Sequence, residues 1–338
     1  MTESERKQRQ LVIDALPSPL RDPVTLWFER LGERYPDARY PDVSLTPLVR
    51  TVAISDFAAR VLLREWQWFV DNYDALSYPP DDDDLDSFVE DVADPAVGVD
   101  RAKQRIRRFR HRRMLHILWR EVTGDASLDE TLNALSDLAD RLLDAAGRVA
   151  RRQMLERHGS VRYDAGNEVP IVSLGMGKLG GRELNFSSDI DLIFLYPEGR
   201  DSDGRKPLSA QEYFARISRY IIALIDERTV DGFAFRIDTR LRPFGESGPP
   251  VVNFTALESY LLQHGRDWER YAYVKARIVG PQPGAAVADD LNRNLIEPFV
   301  YRRYIDYGVF ESLREMHAMI AAEVRRRDLV DNIKLGPG

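Results

Sequence analysis

Two short apolar runs rich in β-branched residues, VPIVSLGMG (Val169–Gly177) and DIDLIFLY (Asp189–Tyr196), are separated by little more than KLGGRELNFSS. Each has the length and composition of a buried strand. A parallel crossover takes about a dozen residues or more, usually with a full helix. RELNFSS leaves room for a turn or two. Gly175, Gly177 and Gly180 match G-x-G-x-x-G after a strand, yet this spacing argues against a dinucleotide-binding unit. The acid such a unit needs about twenty residues on would fall near Pro197 and Glu198, past the second strand. A P-loop fails as well, because Leu179 follows Gly177-Lys178 and Val172 stands at the first glycine position.

The flanks of this segment have a helical period. VTLWFERLGERY and FAARVLLREWQWFVDNY place apolar residues three and four apart. YPPDDDDLDS (Tyr78–Ser87) reads as an exposed loop entering a helix, with its acids at the positive end. RAKQRIRRFRHRRMLHILWREV (Arg101–Val122) is a basic helix that either docks an acidic partner or phosphate groups, or is solvated with Ile106, Phe109, Leu115, Leu118 and Trp119 facing a core. The solvated reading is favoured. A long helix follows and stops at Gly159. After the two strands, SAQEYFARISRYIIALIDER (Ser209–Arg228) is a helix capped by Ser209, with Phe214, Ile217, Ile221, Leu224 and Ile225 on one side. GFAFRIDTRL (Gly232–Leu241) alternates as a strand, Phe233, Phe235 and Ile237 opposite Arg236, Asp238 and Arg240. Helices then resume through NFTALESYLLQHG, RDWERYAYVKARIVG and EMHAMIAAEVRRRD. The expected fold class is α+β and mostly helical. A helical domain spans residues 1–160, a small αβ sheet core 161–250 and a helical region 251–338.

Composition narrows the function classes. With no cysteine, disulfides and thiolate metal sites are excluded. A net charge of −7 argues against nucleic acid as a partner. No apolar run approaches the roughly eighteen residues of a membrane span. MTESERKQRQ lacks the apolar core of a signal peptide, so the expected location is cytoplasmic, with no membrane partner.

The chemistry lies in the acids. Asp189 and Asp191 are two apart, so on one strand their carboxylates share a face. Like charges there need a cation between them, and a hard divalent ion with oxygen ligands suits the position. Asp238 offers a third carboxylate from another strand. Such acids can hold one or two metals that stabilise the attacking and leaving oxygens of an in-line displacement. A glycine-rich turn lets backbone N–H groups approach phosphate oxygens. A lone D-x-D is usually a strand edge; the turn before it and the third acid after one helix give it weight. Arg236, Arg240 and Arg242 either neutralise Asp238 or clamp phosphate, with Arg240 and Arg242 the phosphate candidates. His111, His116, His158, His264 and His317 are scattered and take structural roles.

A Gly-Gly turn, Asp-x-Asp and a later strand Asp resemble the nucleotidyltransferase superfamily that includes polymerase-β-like enzymes. GMGKLGGRELNFSSDIDLIFLY, DGFAFRIDTRLRPFGESGPPV and GRDWERYAYVKARIVG together resemble the glutamine synthetase adenylyltransferases, bifunctional nitrogen regulators with two such domains. LNFSSDIDLIF and GRDWERYA are similar to the N-terminal, deadenylylating half. The resemblance implies phosphorolysis of adenylyl-tyrosine on adenylylated glutamine synthetase, with inorganic phosphate consumed and ADP released. It implies Mg²⁺ or Mn²⁺ on Asp189, Asp191 and Asp238, and phosphate contacts from Gly180, Gly181, Lys178 and Ser188. A PII-type nitrogen signalling protein is a further implied partner. The family continues past NIKLGPG into a second catalytic domain, so the chain is expected to be an N-terminal half. Two alternatives stay open: adenylylation from ATP, and a nucleotide-binding regulatory module without turnover.

Overall fold

A computed structural model describes residues 3–36, 40 and 45–301, and beyond them only 314, 318, 319, 322 and 326. The expected helix EMHAMIAAEVRRRD lies largely outside the described residues, as does His317. The helices are α1 (Glu3–Asp14), α2 (Ser18–Arg34), α3 (Thr46–Ile54), α4 (Asp56–Arg64), α5 (Trp66–Asp71), α6 (Asp82–Ala93), α7 (Val99–Thr123) and α8 (Leu128–His158). The strand β1 (Val172–Gly175), the one-turn helix α9 (Gly177–Gly180), β2 (Ile190–Tyr196), α10 (Ala210–Ile225), β3 (Ile237–Asp238) and β4 (Val251–Asn253) follow. The described chain continues through α11 (Phe254–Gln263), α12 (Asp267–Tyr273), β5 (Arg277–Val279), α13 (Ala285–Asp289) and α14 (Glu297–Val300). The class is α+β.

Two compact units divide the chain. The first comprises Met1–Arg152, Arg182–Asp189 and Tyr220–Ile237; the second comprises Gln153–Gly181, Ile190–Arg219 and Asp238–Gly338.

The first unit is helical and closes on its own core. Val24, Trp27, Phe28 and Leu31 lie one helical turn apart on α2, and all four are buried. Trp66, Phe69 and Trp119 join them, with ring centroids 5.4 Å and 5.1 Å apart from one ring to the next. The α6 start is as expected: Asp81 caps it by accepting from the Asp83 amide at 3.0 Å, ahead of three more aspartates. On α7, Ile106, Leu115 and Trp119 are buried as the helical period requires.

The solvated reading of α7 does not hold, because Arg107, Arg110, Arg113, His116 and Arg120 are buried too. Arg110 lies over the rings of Phe57 and Phe235; for the others the reason is carbonyl oxygen. Arg107 donates to Leu224 O at 3.0 Å, Gly232 O at 2.8 Å and Glu227 O, where the last turn of α10 leaves acceptors unsatisfied. Arg113 donates to Asp81 O at 2.6 Å, and His116 bonds Tyr78 O at 2.9 Å. Arg108 and Arg112 both hold the buried Glu65.

The second unit contains the sheet, ordered β3-β2-β1-β5, with β4 parallel to the end of β2. β1 and β2 are antiparallel, Gly175 opposite Leu192 and Val172 opposite Leu195. Because a dinucleotide unit needs a parallel pair, this pairing removes the reading that the glycine spacing invited. β1 pairs on its other edge with β5, Gly175 opposite Arg277. Val172, Leu174, Ile193 and Leu195 pack with Phe254, Leu257, Leu261 and Tyr273 beneath the sheet. The Ser209 cap on α10 is present, accepting from the Glu212 amide at 3.3 Å, and its five expected apolar residues are buried.

Two expected elements are different. The strand expected over Gly232–Leu241 is two residues long, Ile237–Asp238. RDWERYAYVKARIVG is not one helix: α12 ends at Tyr273, and Arg277–Val279 joins the sheet as β5.

Candidate active site

The turn between β1 and β2 is shaped by what its glycines admit. The Met176 amide donates to Asp191 O at 2.9 Å and draws the turn onto β2. Gly177 has φ +53°, and a Cβ there would stand 3.0 Å from Asp191 Oδ2. Glycine at this position therefore lets a carboxylate lie against the backbone. The Gly180 and Gly181 amides donate within the turn, to Met176 O and Gly177 O at 3.1 Å each. Lys178 is exposed on it. Arg277 donates from β5 to Leu179 O at 3.1 Å and Gly180 O at 3.4 Å, holding the carbonyl end of the turn. The sequence reading missed Arg277 because KARIVG was taken as helix. The alternation of Lys275, Arg277 and Val279 with Ala276 and Ile278 was the available signal.

In the same unit Asp191, half-buried, is the second residue of β2, and Asp238 ends the neighbouring β3. Arg240 grips both oxygens of Asp238, its Nε 2.8 Å from Oδ2 and 3.1 Å from Oδ1, and its amide donates to Oδ1 at 2.8 Å. Those bonds hold the Asp238 carboxyl below the usual carboxylate range, against the opposing effect of burial. Arg240 is in turn held above its ordinary value, first by Asp238 and also by the charges of Glu246 and Asp191. Three carboxylates thus act on one guanidinium whose side chain is 71% exposed. Arg242 is used differently. It donates to Thr239 O at 2.9 Å, Thr239 Oγ1 at 2.8 Å and Glu246 O at 3.2 Å, stapling the loop that follows β3.

In the helical unit, Asp189 comes one residue before β2 begins, so the strand pleat does not set its direction as the D-x-D spacing suggested. It is exposed and paired with Arg236, which also donates to Ser187 O at 3.0 Å. Ser188 donates to Asn185 Oδ1 at 2.7 Å and closes a local turn. Among the described residues no group of three or more His, Cys, Asp or Glu is gathered as for a metal ion; arginines hold Asp189 and Asp238 instead.

The family profile of glutamate-ammonia ligase adenylyltransferase matches residues 45–291, from α3 through α13, with the glycine turn and every strand given above. The chain belongs to this family. It is 44% identical over 330 residues to the bifunctional glutamine synthetase adenylyltransferase/adenylyl-removing enzyme of Shewanella loihica, covering 96% of this chain and 34% of that protein. The like-named Shewanella oneidensis protein is 48% identical over 296 residues, 86% of this chain and 30% of its own. That of Pseudomonas aeruginosa is 44% identical over 303 residues, 88% and 30%. The chain thus spans about a third of the length of these relatives. No helix among the described residues is long and apolar enough to cross a membrane.

Proposed function

We propose that the chain carries a polymerase-β-like nucleotidyltransferase core that removes AMP from adenylyl-tyrosine on glutamine synthetase by phosphorolysis. The observation behind this reading is that Asp191 and Asp238 lie on neighbouring strands beside a glycine turn, with Asp238 gripped by one exposed cation, Arg240. The relatives' names include an adenylyl-removing activity. The resemblance of LNFSSDIDLIF and GRDWERYA to the deadenylylating half supplies the direction.

The donors fit a hard divalent ion: they are carboxylate oxygens, partly open to solvent, that already attract positive charge. Asp191 and Asp238 would hold Mg²⁺ or Mn²⁺. That ion would supply charge neutralisation at the reacting phosphoryl group. With a metal ion on Asp238, Arg240 would turn to phosphate oxygens, which match its planar fork. Lys178 presents a second cation from the turn. An oxygen of inorganic phosphate bonds to the adenylyl phosphorus, and the bond from phosphorus to the tyrosine oxygen breaks. ADP forms, and the phenolate takes a proton from solvent. Phosphate is anionic near neutrality, so the attack needs no histidine base. The phenol's ordinary pKa of about 10 makes cationic help at the leaving oxygen worthwhile.

The full chain incubated with adenylylated glutamine synthetase, phosphate and Mg²⁺ is expected to release ADP. Asp191→Asn combined with Asp238→Asn should slow release at least about a hundredfold while leaving the fold intact by circular dichroism. Normal ADP release from that variant would overturn the assignment. Pyrophosphate formed from ATP and unmodified glutamine synthetase would reverse the proposed direction.

A further inference from the structure

Phe244 has a combination of properties that packing does not require. Its backbone sits at φ +62°, in the left-handed region that aromatic residues rarely enter. The residue is 56% exposed. An exposed phenylalanine gains little from burial, so nothing in the core explains holding it in an unfavourable conformation.

The surrounding loop is built to hold that conformation. Arg242 staples it through Thr239 and Glu246. The Gly245 amide donates to Arg242 O at 2.8 Å, and the Gly248 amide to Gly245 O at 3.1 Å. A Cβ on Gly248 would stand 1.9 Å from Pro243 O, so the turn is drawn tight. From the other side Tyr260 and His264 meet the Phe244 ring edge-on, with centroids 4.8 Å and 5.4 Å away. Tyr260 is anchored to the buried Glu269 at 2.5 Å. The loop is also continuous with the acids. Arg240, which grips Asp238, lies at its start, and a Cβ on Gly245 would be 3.6 Å from Arg240 O.

We infer that Phe244 is the platform on which the purine of the adenylyl group stacks, with Tyr260 and His264 bracing it. This rests on the nucleotidyl-transfer reading above and adds to it the recognition of the base. A flat heteroaromatic ring is the ligand an exposed, rigidly held aromatic face suits, since stacking needs area and fixed orientation and no hydrogen bonds. The phosphates of the same nucleotide would reach Arg240 and the carboxylates.

Binding of ADP and of inorganic tripolyphosphate, each with Mg²⁺, separates base from phosphate recognition. Calorimetric titration of the full chain is expected to show Phe244→Ala and Phe244→Asn binding ADP at least about fivefold more weakly. Phe244→Trp should retain the affinity, and tripolyphosphate binding should be the same in all. Phe244→Asn should melt no lower than the parent, because asparagine tolerates positive φ. That result excludes misfolding as the cause of weaker binding. ADP affinity unchanged in Phe244→Ala, or ADP and tripolyphosphate weakened together, would overturn the inference and leave the proposed reaction standing. A parent chain that binds neither ligand would overturn both.

Discussion

A Cβ at position 180 would lie 2.0 Å from Lys275 O and 2.6 Å from Gly175 O. Both obstacles are backbone, so a side chain there must push β5's approach away from the turn. Gly180→Ala is therefore expected to destabilise the chain by about 1–3 kcal/mol, read as a lower urea midpoint at unchanged slope. A loss below about 0.5 kcal/mol would mean the turn relaxes without disturbing β5. Gly180 was singled out in the sequence for phosphate contact; the structure adds that two backbones meet there. That meeting depends on Lys275, nearly a hundred positions away, and no local pattern reports it. The strand placement of Asp191 and Asp238 was legible, because strand alternation is a local property. Their arginines were left open between two uses. Only contacts divide them, Arg240 with the acid and Arg242 with its own loop. Phe244 escaped notice since φ is not written in residue type; at about 1–2 kcal/mol for a left-handed residue, its conformation is a cost the loop sustains.

Among the elements, α7 carries the clearest pH signature. Burial, aided by Arg110 and Arg64, lowers the His111 pKa to about 4. Burial likewise lowers His116 to about 4, against the bond to Tyr78 O. Both lie below the ordinary value of 6.5, so between about pH 6.5 and 4 the unfolded chain binds more protons than the folded one. Stability is complete above that window and falls as pH drops through it, by up to about 1.4 kcal/mol per pH unit for each imidazole. Glu65, whose pKa burial raises but Arg108 and Arg112 lower further, loses its contribution only at more acid pH. Urea midpoints between pH 6.5 and 5 should therefore follow the histidines. His116→Gln, which can still bond Tyr78 O, should flatten the slope by about half; an unchanged slope would remove His116 as a cause. The helices themselves were readable because a long amphipathic period repeats its signal every turn. The burial of Arg107 was not, since its acceptors come from Leu224, Glu227 and Gly232, over a hundred residues on. β3 and β5 were missed or overdrawn for a related reason. Strands of two or three residues are defined by their neighbours in the sheet, and alternation over so few positions is compatible with a helical turn.

At the scale of the whole molecule, two of the hydrophobic clusters among the described residues have no residue in common. One is built around Trp27, Trp66 and Trp119, the other around Leu174, Ile193 and Leu257. Lys178, Asp191, Asp238, Arg240 and Phe244, proposed to meet nucleotide, belong to the unit of the second core. A ligand bound only to the folded state stabilises it by about 2.7 kcal/mol at a hundredfold excess over its Kd. Hydrogen exchange reports where that stabilisation falls, because amides open locally with different free energies. With ADP and Mg²⁺ at saturation, slowed exchange is expected in residues 176–192 and 238–248, and in the β1 and β5 amides that pair across Gly175 and Arg277. The amides of α2 through α5 are expected to exchange at their ligand-free rate. Protection appearing in those helices and not around the glycine turn would place the nucleotide in the first unit, and the role given to Asp191 and Asp238 would fail with it.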